Sequence, residues 1–145
     1  MPSFMQNTDR IVGGEAAPSM IPWQVALLDG NWQFCGATIL DARTLLSAAH
    51  CEPTTSNKIR VGSTDKTSGG QTIGISEVIY NENEGCKYDK YTLENDFVIL
   101  KLASPLTLND DVKPACLPSS SSYLDTSSSE DRCFTSGWGT LSSGL

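Results

Sequence analysis

The sequence has 145 residues, 39% of them hydrophobic and 19% charged, which is ordinary for a globular protein and long enough for one domain with a core. The net charge of −7 gives no reason to expect nucleic acid or an anionic membrane surface as a partner. No apolar run approaches the roughly 18 residues that a membrane helix requires. From charge and hydropathy together, we expect neither nucleic acid nor a membrane as a partner.

Strand-like apolar runs alternate with short turn clusters through most of the chain. The segment Asp29-Gly30-Asn31 separates the first two runs and is a good hairpin signal. No window shows a helical stripe, and residues 62–70 and 81–85 have the composition of loops. Strands are predicted over residues 23–28, 32–40, 43–49, 59–61, 71–80 and 97–102. This spacing predicts an all-β sandwich or barrel.

Beyond residue 108 the composition changes. Residues 119–131 are polar and rich in serine, which is typical of an exposed loop or a linker between two units. A further strand is predicted over residues 133–138. The chain contains neither an internal repeat nor an N-x-S/T acceptor for glycosylation.

The cysteines indicate an oxidising compartment. Five cysteines occur without a CxxC pair and with a single histidine, a pattern that favours disulfides over a structural zinc site. An odd number leaves at least one thiol free or paired outside the chain. Residues 1–10 contain no apolar core of signal-peptide length, so we expect a secreted protein whose signal peptide lies upstream.

Three stretches carry candidate chemistry: Arg10–Gly14 (RIVGG), Ser47–Cys51 (SAAHC) and Asn95–Leu102 (NDFVILKL). Four more surround them, at residues 22–25 (PWQV), 35–36 (CG), 115–118 (ACLP) and 136–139 (SGWG). In this order, from Ile11 to the end of the chain, they closely resemble the chymotrypsin/trypsin family of serine proteases. One such motif is weak evidence, but seven in register leave little room for coincidence.

The resemblance implies a fold and its divisions. Residues 1–10 are expected to end an activation peptide, and residues 11–145 to form a truncated protease domain. Within it, residues 11–108 are expected to form a six-stranded Greek-key β-barrel, the first of the family's two barrels. Residues 109–131 are then the linker between barrels, and residues 132–145 begin the second barrel.

Two residues are expected to be catalytic by resemblance. His50 is the only histidine, and a lone histidine usually has no catalytic role; here the flanking motifs match it to the general acid/base of the triad. Asp96 has an ordinary interpretation as a turn residue before a strand. The resemblance instead implies that Asp96 accepts a hydrogen bond from His50 and stabilises the imidazolium as it forms.

The resemblance also implies an activation step and a disulfide. Cleavage between Arg10 and Ile11 by a trypsin-like protease frees an amino group that pairs with an aspartate beside the catalytic serine. A disulfide is expected between Cys35 and Cys51, because the turn chemistry between them lets their strands lie side by side.

The other cysteines leave alternatives open. Cys116 resembles a cysteine that often tethers a propeptide, and Cys133 one that pairs within the second half of the family's domain. Cys86 has no recognised counterpart. A pairing of Cys86 with Cys116 is the alternative.

The sequence lacks the Gly-Asp-Ser-Gly-Gly stretch in which this family carries its nucleophile. We therefore expect an amino-terminal portion of a zymogen, inactive by itself, of an endopeptidase that acts on proteins or peptides and binds protein inhibitors. No cofactor or metal is expected. Residues 62–72 lack the glutamate pair that binds calcium in vertebrate trypsins, so no calcium is expected in that loop. The alternatives are a non-catalytic homologue that binds or regulates a partner and, less favoured, a free-standing half-barrel adaptor with an exposed strand edge.

Overall fold

Short strand-like apolar runs bounded by turn residues form six strands, one at each of the six sites predicted before residue 108. The protein is described here by a computed structural model that covers residues 14–118 and 134–139. The strands are β1 Gln24–Asp29, β2 Trp32–Asp41, β3 Thr44–Ser47, β4 Lys58–Val61, β5 Gln71–Tyr80 and β6 Val98–Leu102.

The strands close into an antiparallel barrel in the order β1-β2-β3-β6-β5-β4, with β4 pairing back onto β1. The barrel leaves no free sheet edge among these strands, and one face of each strand supplies the core. Side chains such as Leu27, Ile39, Leu45, Ile59 and Leu100 are completely buried there. The predicted all-β class and six-stranded barrel are confirmed.

One predicted strand is shorter than expected. The run predicted over residues 43–49 ends at Ser47, and Ala49–Cys51 form a single turn of 3₁₀-helix. Glu52 then adopts a left-handed conformation, with φ of 48°, and its N–H donates to the carbonyl of Ala49. A three-residue turn is too short to produce a periodic signal, so the sequence did not predict it.

The segment after the barrel lies against it. Val112 is buried in the core, and the N–H groups of Lys113 and Ala115 donate to the carbonyls of Pro22 and Ile39 at 3.1 and 2.9 Å. Residues 119–133, which include most of the predicted linker and Cys133, lie outside the described residues. The domain boundaries stay a prediction.

Residues 134–139 form no strand, although one was predicted over residues 133–138. Side-chain hydrogen bonds hold this segment to the barrel: Ser136 Oγ donates to Gln24 Oε1 at 2.7 Å, and Trp138 Nε1 donates to the Thr64 carbonyl at 2.8 Å. A ladder requires a neighbouring strand, and none is assigned beside this segment within the described part of the chain.

Cys35 and Cys51 form a disulfide with a Cα–Cα distance of 6.2 Å, as predicted. Cys86 and Cys116 are both exposed free thiols, so the alternative in which they pair with each other is not found. Among the described residues, no helix has the length and apolar character needed to cross a bilayer.

Candidate active site

The register of two paired strands brings His50 and Asp96 together. β3 and β6 are antiparallel, and Ser47 at the end of β3 is paired with Val98 at the start of β6. The chain leaving β3 and the chain entering β6 therefore meet at one end of the barrel. His50 lies three residues after Ser47 and Asp96 two residues before Val98, so they become neighbours although 46 positions separate them.

The two side chains make a double contact. His50 Nδ1 lies 2.6 Å from Asp96 Oδ2, and the backbone N–H of His50 donates to Asp96 Oδ1 at 2.7 Å. Asp96 thus accepts from both the ring and the main chain of one residue, which determines the position and orientation of the imidazole. The Nδ1 atom donates in this arrangement, which leaves Nε2 as the acceptor of the neutral ring.

His50 is fixed from both sides. Ala49 is completely buried and anchors the 3₁₀ turn in the core, while Cys51 is covalently joined to Cys35 on β2. The imidazole itself projects outward, with 54% of its side chain exposed against 24% for Asp96. The backbone is therefore rigid where the ring needs orientation, and the ring is open on the side where a reacting group would approach.

The hydrogen bond from the His50 side chain is the largest cause that lowers the pKa of Asp96 below its ordinary value, followed by the bond from the His50 N–H. Asp96 is therefore ionised at neutral pH. Burial raises the pKa of the nearby Tyr88 hydroxyl, and the negative charge of Asp96 adds to that rise. The lowered pKa of Asp96 keeps a negative charge beside the imidazole, and that charge would stabilise the imidazolium.

The site offers little to a metal ion. Cys35, His50 and Cys51 place their ligand atoms within 4.8 Å of one another, but both sulfurs are bonded to each other and provide no thiolate. In the loop where vertebrate trypsins bind calcium, Asp65 accepts hydrogen bonds from Thr67 Oγ1 and N and from Ser68 Oγ, which lower its pKa to about 2. The absence of calcium there stays a prediction.

A family model described as Trypsin matches residues 11–144 of the chain. The chain belongs to the trypsin family. This trypsin-family chain is 37% identical to trypsin II-P29 of Gallus gallus, over 95% of its own length and 53% of the relative. It is 32% identical to chymotrypsin-C of Bos taurus, over 97% of its own length and 54% of the relative. It therefore spans about half of these serine proteases.

A longer relative extends the comparison. The chain is 37% identical to transmembrane protease serine 9 of Rattus norvegicus over 141 residues, 94% of its own length but only 13% of that protein. The trypsin-family domain thus occurs in proteins of very different overall length. The trypsin family is a family of serine proteases, and the activity and substrates of the whole protein are matters of proposal.

The structure brings together His50, Asp96 and the Cys35–Cys51 disulfide at one end of the barrel. Arg10 and Ile11, the predicted cleavage point, lie outside the described residues. Sequence reasoning missed the second bond to Asp96, from the His50 N–H, and the left-handed Glu52 that ends the histidine turn. No residue pattern indicates which backbone N–H will donate to a side chain. The bond from the His50 N–H is therefore evident only from the tertiary structure.

Proposed function

We propose that this chain is the first barrel of a serine endopeptidase in which His50 is the general acid/base and Asp96 its orienting carboxylate. The observation that carries the proposal is the 2.6 Å contact between His50 Nδ1 and Asp96 Oδ2, with the outer side of the ring exposed. A non-catalytic homologue has no need for this pairing. Family membership supports the same reaction class.

In this mechanism Nδ1–H of His50 donates to Asp96, so Nε2 is unprotonated and can accept a proton from a serine hydroxyl. The serine oxygen then attacks the scissile carbonyl, and the imidazolium returns its proton to the leaving amine. The Asp96 carboxylate stabilises the imidazolium during the interval without taking up the proton itself. The serine and the oxyanion hole would come from the family's second barrel, because no Gly-Asp-Ser-Gly-Gly stretch occurs among these 145 residues.

The protein is made as a zymogen that a trypsin-like protease activates after Arg10. The family match begins at Ile11, immediately beyond this bond, which supports the cleavage point. The freed Ile11 ammonium would pair with an aspartate of the second barrel, since a buried charge is tolerable only when paired. The 145-residue chain by itself has no such partner motif and is inactive.

The substrates are proteins or peptides, and protein protease inhibitors bind at the same site. Secretion is the proposed localisation, because the Cys35–Cys51 disulfide would persist in an oxidising compartment. One relative is named a transmembrane protease. An extracellular catalytic domain on a membrane-anchored protein is therefore a variant of the same proposal.

The decisive experiment joins this chain to the carboxy-terminal half of a trypsin relative, cleaves the product after Arg10, and assays chromogenic esters and a serine-directed fluorophosphonate probe. His50→Ala should reduce turnover on the order of a millionfold. Asp96→Asn should reduce it about ten-thousandfold, a value taken from the established triad of this family. The unjoined 145-residue chain should give neither turnover nor labelling.

The matched control is Asp110→Asn, which removes an exposed carboxylate that pairs with Lys113 at 2.9 Å within the described part of the chain. Its turnover should equal that of the unmodified joined protein. Stoichiometric probe labelling of the unjoined chain would show that one of its own serines is the nucleophile. Normal turnover of a folded joined protein after His50→Ala would exclude His50 as the general base. A folded and cleaved joined protein without turnover, even with His50 in place, would favour the non-catalytic alternative.

A further inference from the structure

We propose that Asn95 is a positioning residue that orients the Asp96 carboxylate toward His50. It does so through its left-handed backbone conformation and a hydrogen bond from its side-chain amide. The proposal rests on the proposed role of the His50–Asp96 pair. It concerns a residue whose side chain makes no contact with either the imidazole or the Asp96 carboxylate among the described hydrogen bonds, so its action is indirect.

The backbone at this point turns sharply. Asn95 has φ of 55°, in the left-handed region, and its carbonyl accepts from the N–H of Phe97 at 2.8 Å. This bond closes a three-residue turn with Asp96 at its centre. Strand β6 begins one residue later, at Val98, so the turn sets the direction in which the Asp96 side chain leaves the barrel.

The residue type suits this conformation. Asparagine enters the left-handed region more readily than other residues with a side chain, whereas alanine is penalised there by the contact of its Cβ with the carbonyl oxygen. A glycine could adopt the same backbone, but it would be free to leave it.

The Asn95 side chain holds the turn in place. Its Nδ2 donates to the carbonyl of Lys87 at 3.1 Å, across the loop that connects β5 to β6. Within the same loop, the N–H of Asp89 donates to the carbonyl of Glu94 at 3.1 Å, and the Asp89 carboxylate accepts from the N–H of Tyr91. The part of this loop from Lys87 to Asn95 is thus closed on itself just before Asp96, and the hydrogen bond from the Asn95 amide joins the two ends of that part.

The tautomer of His50 provides a direct measure of this positioning. His50 is the only histidine, so its two ring nitrogens give unambiguous ¹⁵N resonances in the 145-residue chain. The bond to Asp96 favours the Nδ1–H tautomer. Asn95→Ala loses both the backbone preference and the amide, and should lower the ratio of Nδ1–H to Nε2–H about fivefold. Asn95→Gly keeps the backbone and loses the amide, and should lower it about twofold.

The matched control is Asn83→Ala, in the same loop, where the asparagine is exposed and has no left-handed backbone. Its tautomer ratio should equal that of the wild type. Wild-type ratios in both Asn95 variants would overturn the proposal. If Asn95→Ala does not fold, an unchanged ratio in Asn95→Gly overturns it alone. The readout requires no turnover, so a failure of this proposal is separate from a failure of the proposed enzyme activity.

Discussion

At the scale of single residues, the site depends on one carboxylate held by two donors of one histidine. The pKa of Asp96 is lowered because His50 donates to it from the ring and from the backbone. A carboxyl whose pKa is lower in the folded than in the unfolded state stabilises the fold above its unfolded pKa, and this stabilisation is lost as the pH falls through the folded value. The His50–Asp96 link should therefore persist while Asp96 is ionised and fail only in acid, where Asp96 becomes protonated.

This behaviour predicts the pH dependence of the link. The His50 Nδ1–H resonance should persist in ¹H NMR spectra as the pH falls below neutral, and should be lost only below the ordinary aspartate value of 3.8. Asp96→Asn should change that resonance at every pH, because the amide is uncharged. The control is Asp110→Asn, at an exposed carboxyl whose pKa is lowered by Lys113. It should leave the pH at which the His50 Nδ1–H resonance is lost unchanged. Loss of the resonance already near neutral pH would contradict the predicted link.

At the scale of elements, the tight connection into β5 constrains the barrel. β4 and β5 are antiparallel, and the last residue of β4, Val61, is paired with the first residue of β5, Gln71. The two ends of the loop at residues 62–70 therefore lie side by side. Gly70 precedes this pair with φ of +62°, and a Cβ added there would lie 2.0 Å from the Val61 carbonyl oxygen. Only a residue without a side chain fits this approach.

Gly70→Ala should therefore destabilise the barrel strongly. The strain of the left-handed backbone is compounded by a clash with main-chain atoms, which cannot rotate away, and a loss of more than about 3 kcal/mol is expected. Gly85→Ala is the matched control, since its φ of +82° is similar but no atom lies within 4 Å of the added Cβ. That variant should lose only about 1–2 kcal/mol, from backbone strain. Equal urea midpoints for the two variants would contradict the predicted close approach.

At the scale of the whole molecule, one covalent link joins the site to the barrel wall. The Cys35–Cys51 disulfide connects β2 to the turn that carries His50, across 16 positions of sequence. Around it, β1, β2 and β3 are already paired through backbone ladders. These ladders connect the strands without the disulfide. The particular effect of the disulfide is therefore to hold the end of the Ala49–Cys51 turn, which carries His50, against β2.

Replacing both cysteines, Cys35→Ser with Cys51→Ser, should lower the free energy of unfolding by about 2–4 kcal/mol. The same change should broaden the His50 ring resonances, because Cys51 directly follows the histidine. The control is Cys86→Ser with Cys116→Ser, at two exposed free thiols, which should leave the stability within about 0.5 kcal/mol. A control pair that destabilises as much as the disulfide pair would indicate that the free thiols contribute to the fold.

The sequence alone determined the strand positions and the chemical identity of the candidate pair. Short apolar runs bounded by turn residues located the six strands, because a strand that packs on the core needs apolar side chains there and the chain must turn between strands. Local composition also located the loop at residues 62–70 between β4 and β5. His50 and Asp96 were found because distinctive motifs surround them. Their catalytic roles stay a proposal.

Only the tertiary structure decided what depends on contacts distant in sequence. The pairing of Ser47 with Val98 sets the 2.6 Å approach of the two side chains, and no local pattern encodes that register. Residue types likewise do not indicate the three-residue turn that presents His50 or the backbone donor to Asp96, because both depend on how the ends of β3 and β6 meet. Sequence patterns record which side chains are buried, whereas the geometry of a site depends on how the buried elements meet.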